Sequence, residues 1–447
     1  MLSNQVESIS KEIVLPAVQG LFVDDRNGEF LILNPLGPWW FIGSKLHADF
    51  IRLCDGKRSI KDIFDLLSLR YSSIKLEHLL QAAESILQEQ FFTETEVLPV
   101  HPLGIVHFYI TRRCNLNCPF CFYDSVPSMS KSDEELDTEF WIKLADEVAT
   151  INPEAMISVS GGEPLIRADA IDIIEGISRN GLKIRLVTNG TLFTEDLVLR
   201  LSKISKLRVQ VSIDSLVPEE NARTRGQGSL EKAIKAVQWM IDAGINVAIS
   251  STVTQINKKS IWRLQQFCDE NNIRLGTSFF FKSGDRSKTN APWLELKPHE
   301  IMESSAYNSK HLDHSDATDH TIMPVPGIRR SHCGIGYGQL AIQPDGSVSP
   351  CRLLTDSKLF LGNMTKSELR EILNIGHKKY NFLDVDKVSS DCARCHVRYF
   401  CIGSCKAVSF YNYGSLNLCP PNCELLKQIH TESLWASVLG PSYRPLG

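Results

Sequence analysis

No run of about 18 apolar residues occurs in this chain of 447 residues, which excludes a transmembrane helix of ordinary length. The opening residues, Met1-Leu2-Ser3-Asn4-Gln5-Val6-Glu7-Ser8, lack the basic and apolar regions of a signal peptide, so a cytoplasmic location is expected and a membrane is not. Charge of one sign is missing as well. A formal net charge of -4 offers no basic excess for a phosphate backbone, and nucleic acid is not an expected partner. Apolar (43%) and charged (22%) fractions are those of an ordinary globular protein, and the length allows about two to four domains.

Cysteine is not scarce. Thirteen are present, and in a chain without an export signal they are expected to be reduced thiols, whose clustering points to metal rather than disulfides. Cys54 and Cys268 stand apart in apolar helical patterns and read as small buried hydrophobes. The other eleven fall in two groups, 114 to 121 and 333 to 423. Cys114, Cys118 and Cys121 sit in the run Cys-Asn-Leu-Asn-Cys-Pro-Phe-Cys just after an apolar strand pattern. Three thiolates hold three corners of a four-iron cube and leave one iron open. A zinc site is the alternative for the triplet alone.

From residue 105 onward the runs 105–110, 155–160, 183–187, 207–213, 246–252 and 273–281 read as strands, separated by amphipathic stretches such as 133–150 and 229–243. Alternation of this kind favours a parallel sheet with right-handed crossovers, here an incomplete α/β barrel. Sites in such barrels gather at the carboxyl ends of the strands. The triplet follows the first strand. Gly161-Gly162-Glu163-Pro164 ends the second, Thr188-Asn189-Gly190 the third, and Ser212-Ile213-Asp214 the fourth.

The C-x3-C-x2-C spacing with Phe120 beside the third cysteine, followed by these strand ends in order, resembles the radical SAM enzymes over residues 101 to 300. The resemblance implies a partial (β/α)6 TIM-like barrel. It also implies a [4Fe-4S] cluster on Cys114, Cys118 and Cys121, whose open iron chelates S-adenosylmethionine and whose reduction yields a 5'-deoxyadenosyl radical. By the same resemblance Phe120, Gly161, Gly162, Glu163, Pro164, Thr188, Asn189, Ser212, Asp214 and Arg225 bind S-adenosylmethionine, with Ser251 and Thr252 as weaker candidates.

After a polar stretch at 308–321 that reads as a linker, the cysteines run Cys333, Gly346-x4-Cys351, Cys392-x2-Cys395-x5-Cys401-x3-Cys405 and Cys423. A zinc ribbon has acceptable spacing here. Taken with the barrel, the pattern resembles a SPASM domain, at 328–428, with a tail at 429–447. The resemblance implies two auxiliary [4Fe-4S] clusters, three in all. The inner one is on Cys333, Cys351 and Cys405, and the outer one on Cys392, Cys395, Cys401 and Cys423. Two readings stand for Cys419: fourth ligand of the inner cluster, or a spare thiol.

Residues 1–100 carry no metal pattern. Asn27-Gly28 between alternating runs is a hairpin signal; three helical patterns follow, one stopping at Gly56, one opening on a Ser59/Asp62 capping box, and one with Leu79, Leu80, Ala83, Ile86 and Leu87 on a face. This α+β pattern fits a small winged-helix domain. Its last helix is acidic, which disfavours DNA. The segments around Leu33 and Leu53 resemble the PqqD-like recognition element, which binds the leader of a ribosomally made peptide. The domain order therefore resembles a peptide maturase of the sactipeptide or ranthipeptide type. That implies a precursor peptide as substrate, a flavodoxin or ferredoxin as electron donor, and oxidative crosslinking. The bond implied is a cysteine thioether, with carbon-carbon or carbon-oxygen crosslinks, epimerisation and sulfatase maturation as alternatives.

Overall fold

The computed structural model describes residues 9–92, 103–129, 135–284, 291–301, 331–388 and 390–439. The stretch 308–321 lies outside them.

Strands β1 (Phe22–Arg26), β2 (Glu29–Leu33) and β3 (Trp40–Gly43) form an antiparallel sheet in that order. Asn27 (φ 56°) and Gly28 (φ 86°) make the two-residue turn of positive φ that matches strand twist in a tight hairpin. Three helices back the sheet: α1 (Lys45–Leu53), α2 (Ile60–Ser68) and α3 (Leu76–Gln88). The capping box forms as expected, with Ser59 Oγ accepting from Asp62 N at 3.2 Å and Asp62 Oδ2 from Ser59 N at 2.9 Å. On α3, Leu79, Ala82, Ala83 and Ile86 are buried, whereas Leu87 is exposed. The apolar stripe is narrower than the five-residue face read from the pattern. Cys54 is buried in this core and donates to Phe50 O at 3.4 Å.

The central sheet holds the six expected strands, all parallel: β4 (Ile105–Thr111), β7 (Met156–Gly161), β8 (Lys183–Thr188), β9 (Leu207–Ser212), β10 (Asn246–Val253) and β11 (Arg274–Phe279). Two short strands, β5 (Arg113–Cys114) and β6 (Val126–Pro127), pair across the cysteine loop. Helices α4 (Thr138–Ile151), α5 (Ala170–Ser178), α6 (Glu195–Leu201), α7 (Pro218–Arg225), α8 (Ser229–Asp242) and α9 (Ile261–Glu270) make the crossovers. In β9, Leu207, Val209 and Val211 are buried in the core shared with Val237 and Met240 of α8, while Arg208, Gln210 and Ser212 line the concave side. Cys268 is fully buried in the same core.

The sheet extends further than the pattern indicated. Strand β12 (Gln339–Ile342), from the C-terminal cysteine region, adds parallel to β4, and β13 (Val348–Ser349) adds antiparallel to β12. The sheet therefore continues past its first barrel strand, while the sixth, β11, stays at the other edge.

The tail placed at 429–447 is not a separate tail as far as residue 439. One helix spans Cys423–Leu439, through the boundary drawn at 428, and docks on the amino-terminal sheet. Leu434 and Trp435 are fully buried against Leu31, Leu33 and Trp40. Arg26 forms a two-pronged pair with Glu432 (2.9 and 2.8 Å), and Trp435 Nε1 donates to Asp24 Oδ2 at 2.8 Å. Phe22 stacks on His396 with ring centroids 3.7 Å apart. The first and last parts of the chain thus share an interface of charge-assisted bonds and apolar side chains.

Candidate active site and cysteine clusters

A cavity of about 440 Å³ opens at the carboxyl ends of the barrel strands, and Cys114, Cys118 and Cys121 line it. The backbone approach there explains the two glycines. Gly162 N donates to Thr111 O at 2.9 Å and Glu163 N to Arg113 O at 2.8 Å, so the end of β7 is laced to the segment leading into Cys114. A Cβ at Gly161 (φ 134°) would overlap Thr111 O; one at Gly162 would overlap Arg113 O and stand 2.6 Å from its carbonyl carbon.

Glu163 is fully buried. Its Oε1 accepts from Thr188 Oγ1 (2.9 Å) and Leu165 N (3.1 Å), and its Oε2 accepts from Asn189 N (2.7 Å), which ties the ends of β7 and β8. Burial pushes its carboxyl up to about 7, against these donors, which favour the charged form. Pro164 is buried in the single turn that follows, Pro164–Ile166. Asn189 Nδ2 donates to Asn115 Oδ1 at 2.9 Å and stands 4.0 Å from Cys114 Sγ.

Asp214 is also fully buried. It accepts from Arg225 Nε (2.7 Å), Arg225 Nη2 (3.1 Å) and Thr252 N (2.9 Å), while Ser251 Oγ donates to its carbonyl at 3.2 Å. The Arg225 guanidinium lies 5.2 Å from the centre of the Phe120 ring. Of the expected cofactor residues, Phe120, Gly161, Gly162, Thr188, Asn189, Ser212 and Arg225 line the cavity, as do Ser251 and Thr252. Glu163, Pro164 and Asp214 stand among its supports.

Burial pushes the Cys118 thiol up to about 12 and raises that of Cys114, so cluster assembly has to displace protons. Cys121 Sγ lies 3.0 Å from Ser125 Oγ. Among the described residues no group of three or more His, Cys, Asp or Glu side chains is placed to hold a single metal ion. The donor set fits an iron-sulfur cluster: three thiols line one cavity, with the Arg225 guanidinium acting on Cys118 and Cys121.

The remaining cysteines separate into two sets. Burial raises the Cys333 thiol and pushes that of Cys351 up to about 12, and the nearby Cys405 adds to both, which places these three cysteines together. Cys392, Cys395, Cys401 and Cys423 form the other set. Cys419 joins that outer set, its sulfur 3.6 Å from Cys392 Sγ. Cys419 thus stands next to Cys392, one of the four cysteines expected to hold the outer cluster. Lys406 is buried between the sets and acts on thiols of both.

Residues 108–269 match the radical SAM superfamily, and residues 333–396 match the SPASM iron-sulfur cluster-binding domain. The chain carries a radical SAM domain followed by a SPASM domain. As a radical SAM enzyme it binds S-adenosylmethionine and [4Fe-4S] clusters. A probable GTP 3',8-cyclase of Methanothermobacter marburgensis is 29% identical over 61% of this chain and 92% of its own. The antilisterial bacteriocin subtilosin biosynthesis protein AlbA of Bacillus subtilis is 25% identical over 72% of this chain and 71% of its own. In fold, Streptococcus suis SuiB, solved bound to precursor peptide SuiA, superposes with a TM-score of 0.57 over 92% of this chain and all of its own, at 15% identity. No helix among the described residues of this radical SAM enzyme is long and apolar enough to cross a membrane.

Arg185, Arg208, Gln210, Arg274 and Arg352, which no motif or cysteine spacing marks, also stand on the cavity wall. A signal was present in Leu207-Arg-Val-Gln-Val-Ser212, where every second residue of a strand covered by helices is polar.

Proposed function

We propose that this radical SAM enzyme is a maturase of a ribosomally made peptide, that residues 1–100 bind the leader, and that the product is an oxidative crosslink, a cysteine thioether to carbon. The observation that carries the reading is the separate β1–β3 sheet with its three helices, joined to the SPASM end of the chain through Arg26, Glu432 and Trp435. An enzyme acting on a free small molecule has no use for such a domain, whereas an extended leader adds to a sheet edge by backbone hydrogen bonds. Likeness to the subtilosin protein and to the SuiB fold supports the same class.

When bound, the cluster and S-adenosylmethionine supply a 5'-deoxyadenosyl radical that takes hydrogen from carbon. This chain's residues do the placing. Cys114, Cys118 and Cys121 hold the cluster. Gly161 and Gly162 keep the cysteine loop against β7, Asp214 holds Arg225 over Phe120, and Thr188, Asn189 and Ser212 present polar groups to the cofactor. Cys392, Cys395, Cys401 and Cys423, with Cys419 beside them, would hold the outer auxiliary cluster. Cys333, Cys351 and Cys405 would hold the inner one. That inner set supplies three thiolates, so a substrate cysteine is a donor of matching chemistry, which favours the thioether over other crosslinks. A flavodoxin or ferredoxin in the cytoplasm supplies electrons.

The test is a leader-bearing precursor peptide, sought among short reading frames near the gene and incubated anaerobically with the enzyme, intact or without its leader. Intact peptide is expected to accelerate 5'-deoxyadenosine formation. Leaderless core is expected to need a concentration about 100-fold higher for the same rate, since the docked leader supplies the effective concentration. Equal use of both forms would contradict leader recognition.

A further inference from the structure

Lys406 follows Cys405 and opens the helix Lys406–Tyr413, yet the residue is only 4% exposed. Two electrostatic rules are broken at once. A cation in the first turn of a helix faces the positive end of the helix dipole, and a buried ammonium calls for a counter-charge. Among the described residues no Asp or Glu pairs with Lys406, and its one hydrogen bond runs to Gly403 O at 3.1 Å.

The chain beside it shows where a counter-charge would lie. Cys401-Ile402-Gly403-Ser404-Cys405 links an expected outer ligand to an expected inner one, and Ile402 (φ 48°), Gly403 (φ 70°) and Ser404 (φ 61°) are all left-handed. A β-branched residue is rarely held there, so the turn is strained. It is braced by Ile402 N donating to Arg398 O at 2.8 Å and Ser404 N donating to Cys401 O at 2.9 Å. A Cβ on Gly403 would stand 2.6 Å from Lys406 Nζ, so the ammonium rests on the middle of this bridge. From there it favours the thiolate of Cys333 in the inner set and those of Cys392 and Cys401 in the outer.

Neighbouring basic groups do not duplicate it. His332, beside Cys333, is held neutral: its Nδ1 accepts from Gly334 N at 2.8 Å, which leaves Nε2 to donate to Tyr380 O at 3.0 Å. Lys427 acts on Cys395 and Cys423, both of the outer set, and is already paired with Glu424 at 2.7 Å.

Four-iron clusters held by thiolates are net anions and gain a further negative charge on reduction, so a fixed cation beside them stabilises the reduced form. We propose that Lys406 is the shared counter-charge of the two auxiliary clusters and raises the reduction potential of both. The inference rests on the two ligand sets proposed above and not on which bond is formed in the peptide.

The test is a redox titration of the full-length, cluster-loaded enzyme followed by electron paramagnetic resonance. The signal that changes on adding S-adenosylmethionine belongs to the triplet cluster and serves as the internal reference; the other two report the auxiliary clusters. Lys406→Met, similar in length and neutral, is expected to lower the equilibrium constant for one-electron reduction of both auxiliary clusters by about tenfold, the scale of one charge roughly 10 Å away in protein. That is a shift of about 59 mV. Lys406→Arg keeps the charge and is expected to restore most of it, which a purely structural role would not give. Iron is counted first. About twelve atoms in the unaltered enzyme uphold the ligand sets, whereas about eight or fewer would overturn those sets and the shared counter-charge with them. With the sets upheld, loss of auxiliary iron in Lys406→Met that Lys406→Arg prevents supports the counter-charge. Equal loss in both variants, unmoved potentials at full iron, or a shift of one auxiliary cluster alone would contradict it.

Discussion

Enzyme in which Cys114, Cys118 and Cys121 are all changed to alanine is expected to lose S-adenosylmethionine cleavage to background while keeping about eight of about twelve iron atoms, the content of two remaining four-iron clusters. The large effect follows from the division of labour along the chain. The triplet lines the barrel cavity, whereas the other eight clustered cysteines gather in two sets around 333–351, 392–405 and 419–423. Loss of the first set removes the radical source and leaves the second and third intact. Iron and sulfide analysis with anaerobic assay of 5'-deoxyadenosine checks it. Loss of nearly all iron would show that the three sites assemble as one unit. Retention of about twelve iron atoms would remove the triplet from the ligand list altogether.

A second large effect is expected from Gly162→Ala. The new methyl would overlap Arg113 O and lie 2.6 Å from Arg113 C and 2.7 Å from Arg112 O, all backbone atoms that cannot rotate aside. Relief requires the β7 end to part from β4, which breaks the bonds Gly162 N to Thr111 O and Glu163 N to Arg113 O. Two lost hydrogen bonds at about 1 kcal/mol each, added to overpacking of about 1–3 kcal/mol, give a destabilisation of roughly 3–5 kcal/mol. Function should fall further than stability. The displaced segment is the one that carries Cys114, so S-adenosylmethionine cleavage is expected to drop at temperatures where the variant is still folded. Gly104→Ala is the control, since the nearest atom to its added methyl, Gly338 O, is 3.6 Å away. Thermal denaturation and cleavage assays on both variants separate the effects; a fully active Gly162→Ala enzyme would contradict this account of the strand end.

The six parallel strands were readable because each alternates a helix-facing apolar residue with a lumen-facing one, as in Leu207, Val209 and Val211 against Arg208, Gln210 and Ser212. Strand β12 was not, because Gln339–Ile342 is four residues long, buried on both faces, and recruited to β4 from more than 200 positions away. Docking of Cys423–Leu439 on the first sheet rests on Arg26–Glu432 and Asp24–Trp435, pairs about 400 residues apart that no local pattern announces. The place of Gly161 and Gly162 at a strand end was legible, but the need for glycine there, the backbone of Thr111 to Arg113 lying against them, comes from a neighbouring strand and only the fold shows it. Cysteine spacing identified the clustered thiols, but the position of Cys419 beside Cys392 depends on how the Pro420-Pro421 turn folds back.

The N-terminal sheet, the barrel cavity and the two further cysteine sets together amount to a claim that this enzyme removes two electrons from a peptide. Mass spectrometry of the precursor after anaerobic turnover in deuterated water tests that most directly. The expected product is lighter by about two mass units for each modification, the mass of two hydrogens lost on crosslinking, with one 5'-deoxyadenosine formed each time. A peptide that gains deuterium without losing hydrogen would make the enzyme an epimerase, and an unchanged peptide beside continuing cofactor cleavage would contradict the account.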